Sequence, residues 1–295
     1  MRIHHLSCGT FCPFGKRLMQ GEGGWLEPSD APCHCLLLET DHGLVLVDTG
    51  FGTRDVQDPT RFALSMRLLM RPDLRPEKTA VHQLRALGFS PADVRHIVVT
   101  HLDYDHAGGL SDFPEARVHI FRTELEAANR RDVRMGHARY RPVQWAYGPT
   151  WEQYDTTGEP WHGFPCVRGL RGLPPEILMI PLFGHTPGHC GIAIQTDGER
   201  WLLHAGDAYF FHDEMDLRSP RMPPGLAAYE MLMESDRGKR LANQDRLREL
   251  LKNHGDTVSV FCAHDASELR AMQRLSTARP EAPPPEERPR PQPSA

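Results

Sequence analysis

The chain has no long apolar run, no CxxC cysteine pair and no large excess of either charge. Each of these absences removes a class of protein. No stretch approaches the roughly 20 apolar residues that a helix needs to cross a bilayer, so a helical membrane protein is not expected. The first residues, Met1-Arg2-Ile3-His4-His5, lack the apolar core of an export signal, which points to a cytoplasmic protein. The seven cysteines are odd in number and unpaired in spacing, which argues against a zinc finger and for reduced thiols acting as small buried hydrophobes. A net charge of −5 over 295 residues offers no electrostatic handle for nucleic acid or a membrane surface.

Histidine, by contrast, is plentiful, with 17 in the chain. His101, Asp103, Asp105 and His106 fall within six residues of the string Thr100-His101-Leu102-Asp103-Tyr104-Asp105-His106-Ala107-Gly108-Gly109, directly after an apolar run over 96–99. That run reads as a buried strand. Carboxylates and imidazoles at this density are costly to bury unless something pairs with them, and a divalent metal is the natural partner.

Elsewhere the pattern predicts alternating strands and helices. Residues 35–39 and 44–48 read as a hairpin around Asp41-His42-Gly43, leading into the glycine-rich loop Asp48-Thr49-Gly50. Helices are expected over 78–87, 123–130 and 239–253, an amphipathic one within 54–76, and a helix start at Ser90-Pro91-Ala92-Asp93. Further strands are expected over 117–121, 176–182, 191–195, 201–204 and 258–262. The segment 131–175 reads as irregular and aromatic-rich, holding Trp145, Trp151 and Trp161. The proline-rich tail 279–295 has little to bury and is expected to be disordered.

Four of the strands end in loops that carry possible ligands: His101 to His106, His185 in Gly184-His185-Thr186-Pro187-Gly188-His189, Asp207 after Ala205-Gly206, and His264 in Ala263-His264-Asp265. Strand ends on a rigid sheet can bring such residues to one point. Together with Asp48-Thr49-Gly50, and in this order, these elements resemble the metallo-β-lactamase superfamily, over roughly residues 3–265. The resemblance implies a four-layer αββα sandwich with a metal site at one edge of its two sheets, here residues 1–270, with 53–77 and 131–175 as substrate-covering insertions. Carried over residue by residue, a first metal would take His101, position 103 and His185, a second Asp105, His106 and His264, and Asp207 would bridge the two. Asp48 would orient a ligand histidine. Two divalent ions are implied, zinc first, with manganese or iron as alternatives.

The superfamily motif usually has histidine at the position of Asp103. A carboxylate there makes the first site harder and favours manganese or iron; the rival reading is that Asp103 binds nothing and only the second metal is held. His189 and His204 are expected to be structural. Tyr209 lies close to the offset at which the superfamily's lactonases carry a substrate-contacting tyrosine, and Tyr104 sits between two ligands. The expected activity is metal-dependent hydrolysis of an ester, lactone or thioester by a metal-bound hydroxide, with Asp105 and Tyr209 as catalytic residues. The expected partner is a small molecule with a carbonyl centre, with no nucleic acid and no membrane, and a homodimer is the rival use of the apolar segments. A di-iron redox enzyme, a phosphodiesterase and a catalytically silent binding module are the alternatives.

Overall fold

The computed structural model describes residues 1–131, 133, 135–165 and 169–277. The proline-rich tail expected to be disordered, 279–295, and Cys166 lie outside the described residues.

Two sheets form the centre. The first has six strands in chain order: β1 (Arg2–Phe11), β2 (Ala31–Thr40), β3 (Gly43–Val47), β4 (Val94–Val98), β5 (Arg117–Phe121) and β6 (Thr150–Tyr154). A small hairpin follows, β7 (Pro160–Trp161) with β8 (Phe164–Pro165). The second sheet has the order β12-β11-β10-β9, from β9 (Ile177–Pro181), β10 (Cys190–Asp197), β11 (Arg200–His204) and β12 (Val258–Phe261).

The apolar runs explain the layering. Successive side chains on a strand face opposite ways, so a strand buried on both faces can be apolar throughout. In β2 and β3, Leu36, Leu38, Val45 and Val47 face inward and meet Ile177, Met179, Ile192 and Ile194 of the second sheet. Their neighbours Cys35, Leu37, Leu44 and Leu46 face outward, onto Val81 and Leu84 of the helix Ala80–Ala86 and Leu125 and Ala128 of the helix Arg122–Arg130. On the far side, Leu178, Ile180 and Leu203 pack on Leu247 and Leu250 of the helix Arg237–His254. The result is the expected αββα sandwich.

Several boundaries moved. The residues 54–76 form not one amphipathic helix but Thr53–Gln57, a 3-10 turn Pro59–Arg61 and Leu64–Met70, because Pro59 and the extended Phe62 and Ala63 interrupt it. Phe62, Met66 and Met70 pack inward while Leu64, Leu68 and Leu69 face solvent. Ser90 does cap a start, but of the 3-10 turn Pro91–Asp93. The segment 131–175 is not wholly irregular, since it supplies β6, the β7–β8 hairpin and the short helix Gly136–Arg139. The helix Ala266–Thr277 carries the body past residue 270 and is tied to β1 by Gln273 Nε2 donating to the His5 carbonyl. Among the described residues no helix is long and apolar enough to cross a membrane.

The topology places the ligand loops together. β3, β4 and β5 run parallel, as do β11 and β12, so their C-terminal ends share one edge. At that edge the sheets are joined by backbone hydrogen bonds, Cys190 N to Thr100 O and His34 N to Ala263 O, each 2.9 Å.

Candidate metal centre

All seven sequence-predicted ligands converge, and all are buried. After β4 the chain turns at Asp103 into the short helix Tyr104–Ala107, which puts Asp105 and His106 in its first turn. His185 follows β9, Asp207 follows β11 and His264 follows β12.

The position formed by Asp105, His106, Asp207 and His264 fits a metal. His106 Nε2 and His264 Nε2 are 3.3 Å apart. Asp207 Oδ1 lies 3.3 Å from each of them, and Asp105 Oδ2 lies 3.6 Å from His106 and 3.3 Å from His264. Four donors on a tetrahedral ion with bonds of about 2.0–2.1 Å would be about 3.3–3.4 Å apart. Asp207 Oδ1 is buried and has no hydrogen-bond partner among the described residues, an orphan that a cation would satisfy.

The surroundings orient these donors. Asp48 Oδ2 meets His106 Nδ1 at 2.8 Å, and the Pro32 carbonyl meets His264 Nδ1 at 2.8 Å, which turns both Nε2 atoms to the centre. Asp48 itself holds a left-handed backbone at φ 56° and accepts from Thr100 N and Thr100 Oγ1. His189 Nε2 accepts from Asp207 N at 2.8 Å, and a Cβ on left-handed Gly206 would lie 2.5 Å from that ring atom. His204 binds the His34 carbonyl. Both histidines are structural, as expected.

The electrostatics call for a cation. Burial works against charge on both rings, but Asp207, Asp105 and Asp48 hold His106 well above its ordinary range. Asp207 and Asp105 likewise bring His264 up to about 10 despite burial. Rings that bind a proton this strongly sit in a field that favours positive charge.

The position of His101, Asp103 and His185 differs. Their facing atoms are close, His101 Nε2 at 3.4 Å and His185 Nε2 at 3.1 Å from Asp103 Oδ2. Yet Asp103 is held by the fully buried Arg139, with Nε to Oδ1 at 2.7 Å and Nη2 to Oδ2 at 2.6 Å. Nη2 also meets His185 Nε2 at 2.7 Å. Burial would raise the Asp103 carboxyl, but Arg139 and His101 hold it well below the carboxylate range. Burial and then Arg139 push His185 down to about 4, against Asp207 and Asp103. Sequence reasoning missed Arg139 altogether. It also missed Glu124, whose carboxylate accepts from Leu102 N, Tyr140 Oη, Thr186 Oγ1 and Gly188 N and ties the two histidine loops together. Cys33, read only as a small hydrophobe, lies with Asp105 and His264 in a group of ligand atoms within 4.8 Å of one another. Burial and Asp105 keep its thiol well above its ordinary value.

Tyr209 is not at the site. It is fully buried in the outer core of the second sheet and donates its hydroxyl to Glu268 Oε1 at 2.9 Å. The adjacent Phe210 faces the metal position instead, stacked on His264 with ring centroids 5.6 Å apart. Tyr104 is buried among Phe11, Phe51 and Phe62, its hydroxyl without a partner among the described residues. A cavity of about 320 Å³ opens beside His264, walled by Phe11, Met70, Phe210, Leu226 and Tyr229. Among the described residues, none of 131–175 lines it. Trp145, Trp161 and Phe164 are core residues, and only Met70 of 53–77 reaches the cavity wall.

Comparison with known proteins agrees with this geometry. A probable metallo-hydrolase of Mycobacterium tuberculosis is 41% identical over 265 residues, 90% of this chain and 80% of that protein. An N-acyl homoserine lactonase of Bacillus thuringiensis is 27% identical over 247 residues, 82% of this chain and 84% of its own. The solved structure of an N-acyl homoserine lactone hydrolase, with the product N-hexanoyl-L-homoserine at its catalytic metal centre, superposes with a TM-score of 0.69 at 22% identity, covering 92% of this chain and 95% of that one. Residues 29–264 match the metallo-beta-lactamase superfamily, and the chain belongs to that superfamily.

Proposed function

We propose that this metallo-hydrolase cleaves the carbonyl–oxygen bond of a small ester or lactone bearing an apolar acyl chain. The observation that carries the proposal is the cavity beside His264, whose wall sets Phe11, Met70, Phe210 and Leu226 with Tyr229, alongside polar groups that include Asp30, His212 and Arg270. The names of the lactonase relatives support the same class, and a thioester is the nearest alternative.

His106, His264, Asp105 and Asp207 would hold the ion. It would supply a Lewis acid for the carbonyl and lower the pKa of water within reach, and zinc suits this mixed nitrogen–oxygen set. The chain's own groups do the rest. Asp103 has both oxygens on Arg139, and Asp48 has both on Thr100 and His106. Asp105 and Asp207 are therefore the carboxylates left to serve the reaction, and Asp105 is assigned the proton transfer to the leaving alkoxide. Tyr229 takes the role expected of Tyr209. Burial and the carboxylates Asp105, Asp103 and Asp207 raise its phenol well above its ordinary value, so its O–H remains a donor for the substrate carbonyl. Phe210 and Phe11 form the apolar flank.

Two alternatives lose their motive. The carboxylate at position 103 suggested di-iron chemistry, and the bond to Arg139 accounts for it otherwise. A phosphodiester would need free cationic groups in the wall; of those there, Arg270 faces Asp30 at 4.0 Å and His212 is held by Asp265 at 2.7 Å. The test is a panel of lactones, esters, thioesters and phosphodiesters with zinc-replete protein, followed by proton release. Turnover of lactones or esters is expected. Turnover of phosphodiesters alone, or of nothing on the panel, would sink the reading.

A further inference from the structure

The guanidinium of Arg139 sits where the first metal's ligands converge. A guanidinium has five N–H donors, and here each finds an acceptor. Nε binds Asp103 Oδ1, and Nη2 binds Asp103 Oδ2 and His185 Nε2. Nη1 binds the carbonyls of Met233 at 2.5 Å and His185 at 3.2 Å. Arg139 therefore has no donor left for a substrate.

His185 decides what the position can hold. Its Nε2 has one lone pair, and accepting from Arg139 uses it. The ring proton is then on Nδ1, which is buried and makes no hydrogen bond among the described residues. With Asp103 and His185 taken, His101 Nε2 and the shared Asp207 are the donors remaining there. A catalytic zinc site normally has three protein ligands. A dication would also have to sit beside a buried guanidinium, and like charges at such range repel strongly at low dielectric. His101 belongs both to the group with Asp103 and His185 and to a group with His106 and Asp207, each with ligand atoms within 4.8 Å of one another, so it can also serve the other position.

We propose that Arg139 replaces the first metal ion of the superfamily's site, so that this chain binds one divalent ion, on His106, His264, Asp105 and Asp207. The change from histidine to aspartate at position 103 and the placement of Arg139 are two halves of one substitution: a ligand set plus a dication gives way to a carboxylate plus a guanidinium. Arg139 is a positioning residue. It fixes His185 and Asp103 as a rigid, charge-balanced wall behind Asp207 and leaves that carboxylate to the single ion. This inference rests on the metal-dependent reading above.

The experiment is a metal count on the whole protein. Chelator-stripped protein is dialysed against excess Zn(II) and then against buffer, and zinc is measured by mass spectrometry against protein concentration. One equivalent is expected. Two equivalents would overturn the replacement while leaving the metal-dependent reading intact; none would overturn both. Location is tested separately. His264→Ala should lose the zinc and His185→Ala should keep it, and the opposite pattern would refute the proposal. The pair Asp103→His with Arg139→Leu should raise the count from one to two if it folds. If it does not, the wild-type count and the two single variants still decide the matter.

Discussion

The two halves of the candidate metal centre are built from the same residue types but hold charge in opposite ways. Around His106 and His264 the carboxylates have no internal cation among the described residues, and the rings are driven towards protonation. Around His101 and His185 a cation is already built into the chain, and His185 is driven to stay neutral. A list of ligands cannot show this difference, because the decisive group, Arg139, is not a metal ligand. A buried site is defined by its counter-charges as much as by its donors.

The sharpest way to break this contrast is on the open half. Asp105→Asn should lower kcat/KM by about 10² to 10⁴-fold, the usual range for a lost proton-transfer group, with the melting temperature of the zinc-loaded protein showing that the fold survives. An effect below tenfold would remove Asp105 from the mechanism.

On the closed half the expected effect is on stability. Arg139→Met leaves Asp103 buried and unpaired, which should cost about 3–5 kcal/mol in denaturant unfolding. Adding Asp103→Leu should recover most of that loss, because both members of the pair are then gone. Equal losses in the single and double variants would mean that the pair is not coupled.

The halves should also answer pH in opposite directions once the metal is removed. His264, raised to about 10, adds stability that is fully present below about pH 6.5 and is lost as pH rises towards 10. His185, lowered to about 4, adds stability that is present above about pH 6.5 and is lost as pH falls towards 4. Imidazole nitrogen shifts in chelator-treated protein would read both rings; His264 titrating near its ordinary value would count against the field described here.

The smallest effects separate two tyrosines. Tyr229→Phe should lower kcat/KM about tenfold, the worth of one hydrogen bond to the reacting carbonyl, with stability little changed. Tyr209→Phe should cost about 1 kcal/mol of stability through the Glu268 hydrogen bond and leave kcat/KM within about twofold.

Much of this was legible in the chain. The strand 117–121 falls on β5 to the residue, and the ligand loops are where the motifs place them. Local pattern sufficed for both, because apolar runs and loop motifs are short-range. The failures were of facing. Tyr209 and Phe210 are neighbours that point opposite ways, and an offset counted along the chain does not say which one meets the site. Trp145, Trp161 and Phe164 were as suited to a core as to a substrate wall, and packing chose the core. Arg139 lies 36 residues from Asp103, in the segment with the least regular pattern. The one signal for it was Asp103 itself, a carboxylate out of place that needed a counter-charge.

The positions of most strands and of the loops that carry the seven candidate ligands follow from the sequence alone, since each rests on residues a few positions apart. Which carboxylate meets a built-in cation, which tyrosine faces the cavity and which half is left open to a metal were decided only by the tertiary structure. Those properties depend on distances through space between residues far apart in the chain, and buried charge is settled at that range.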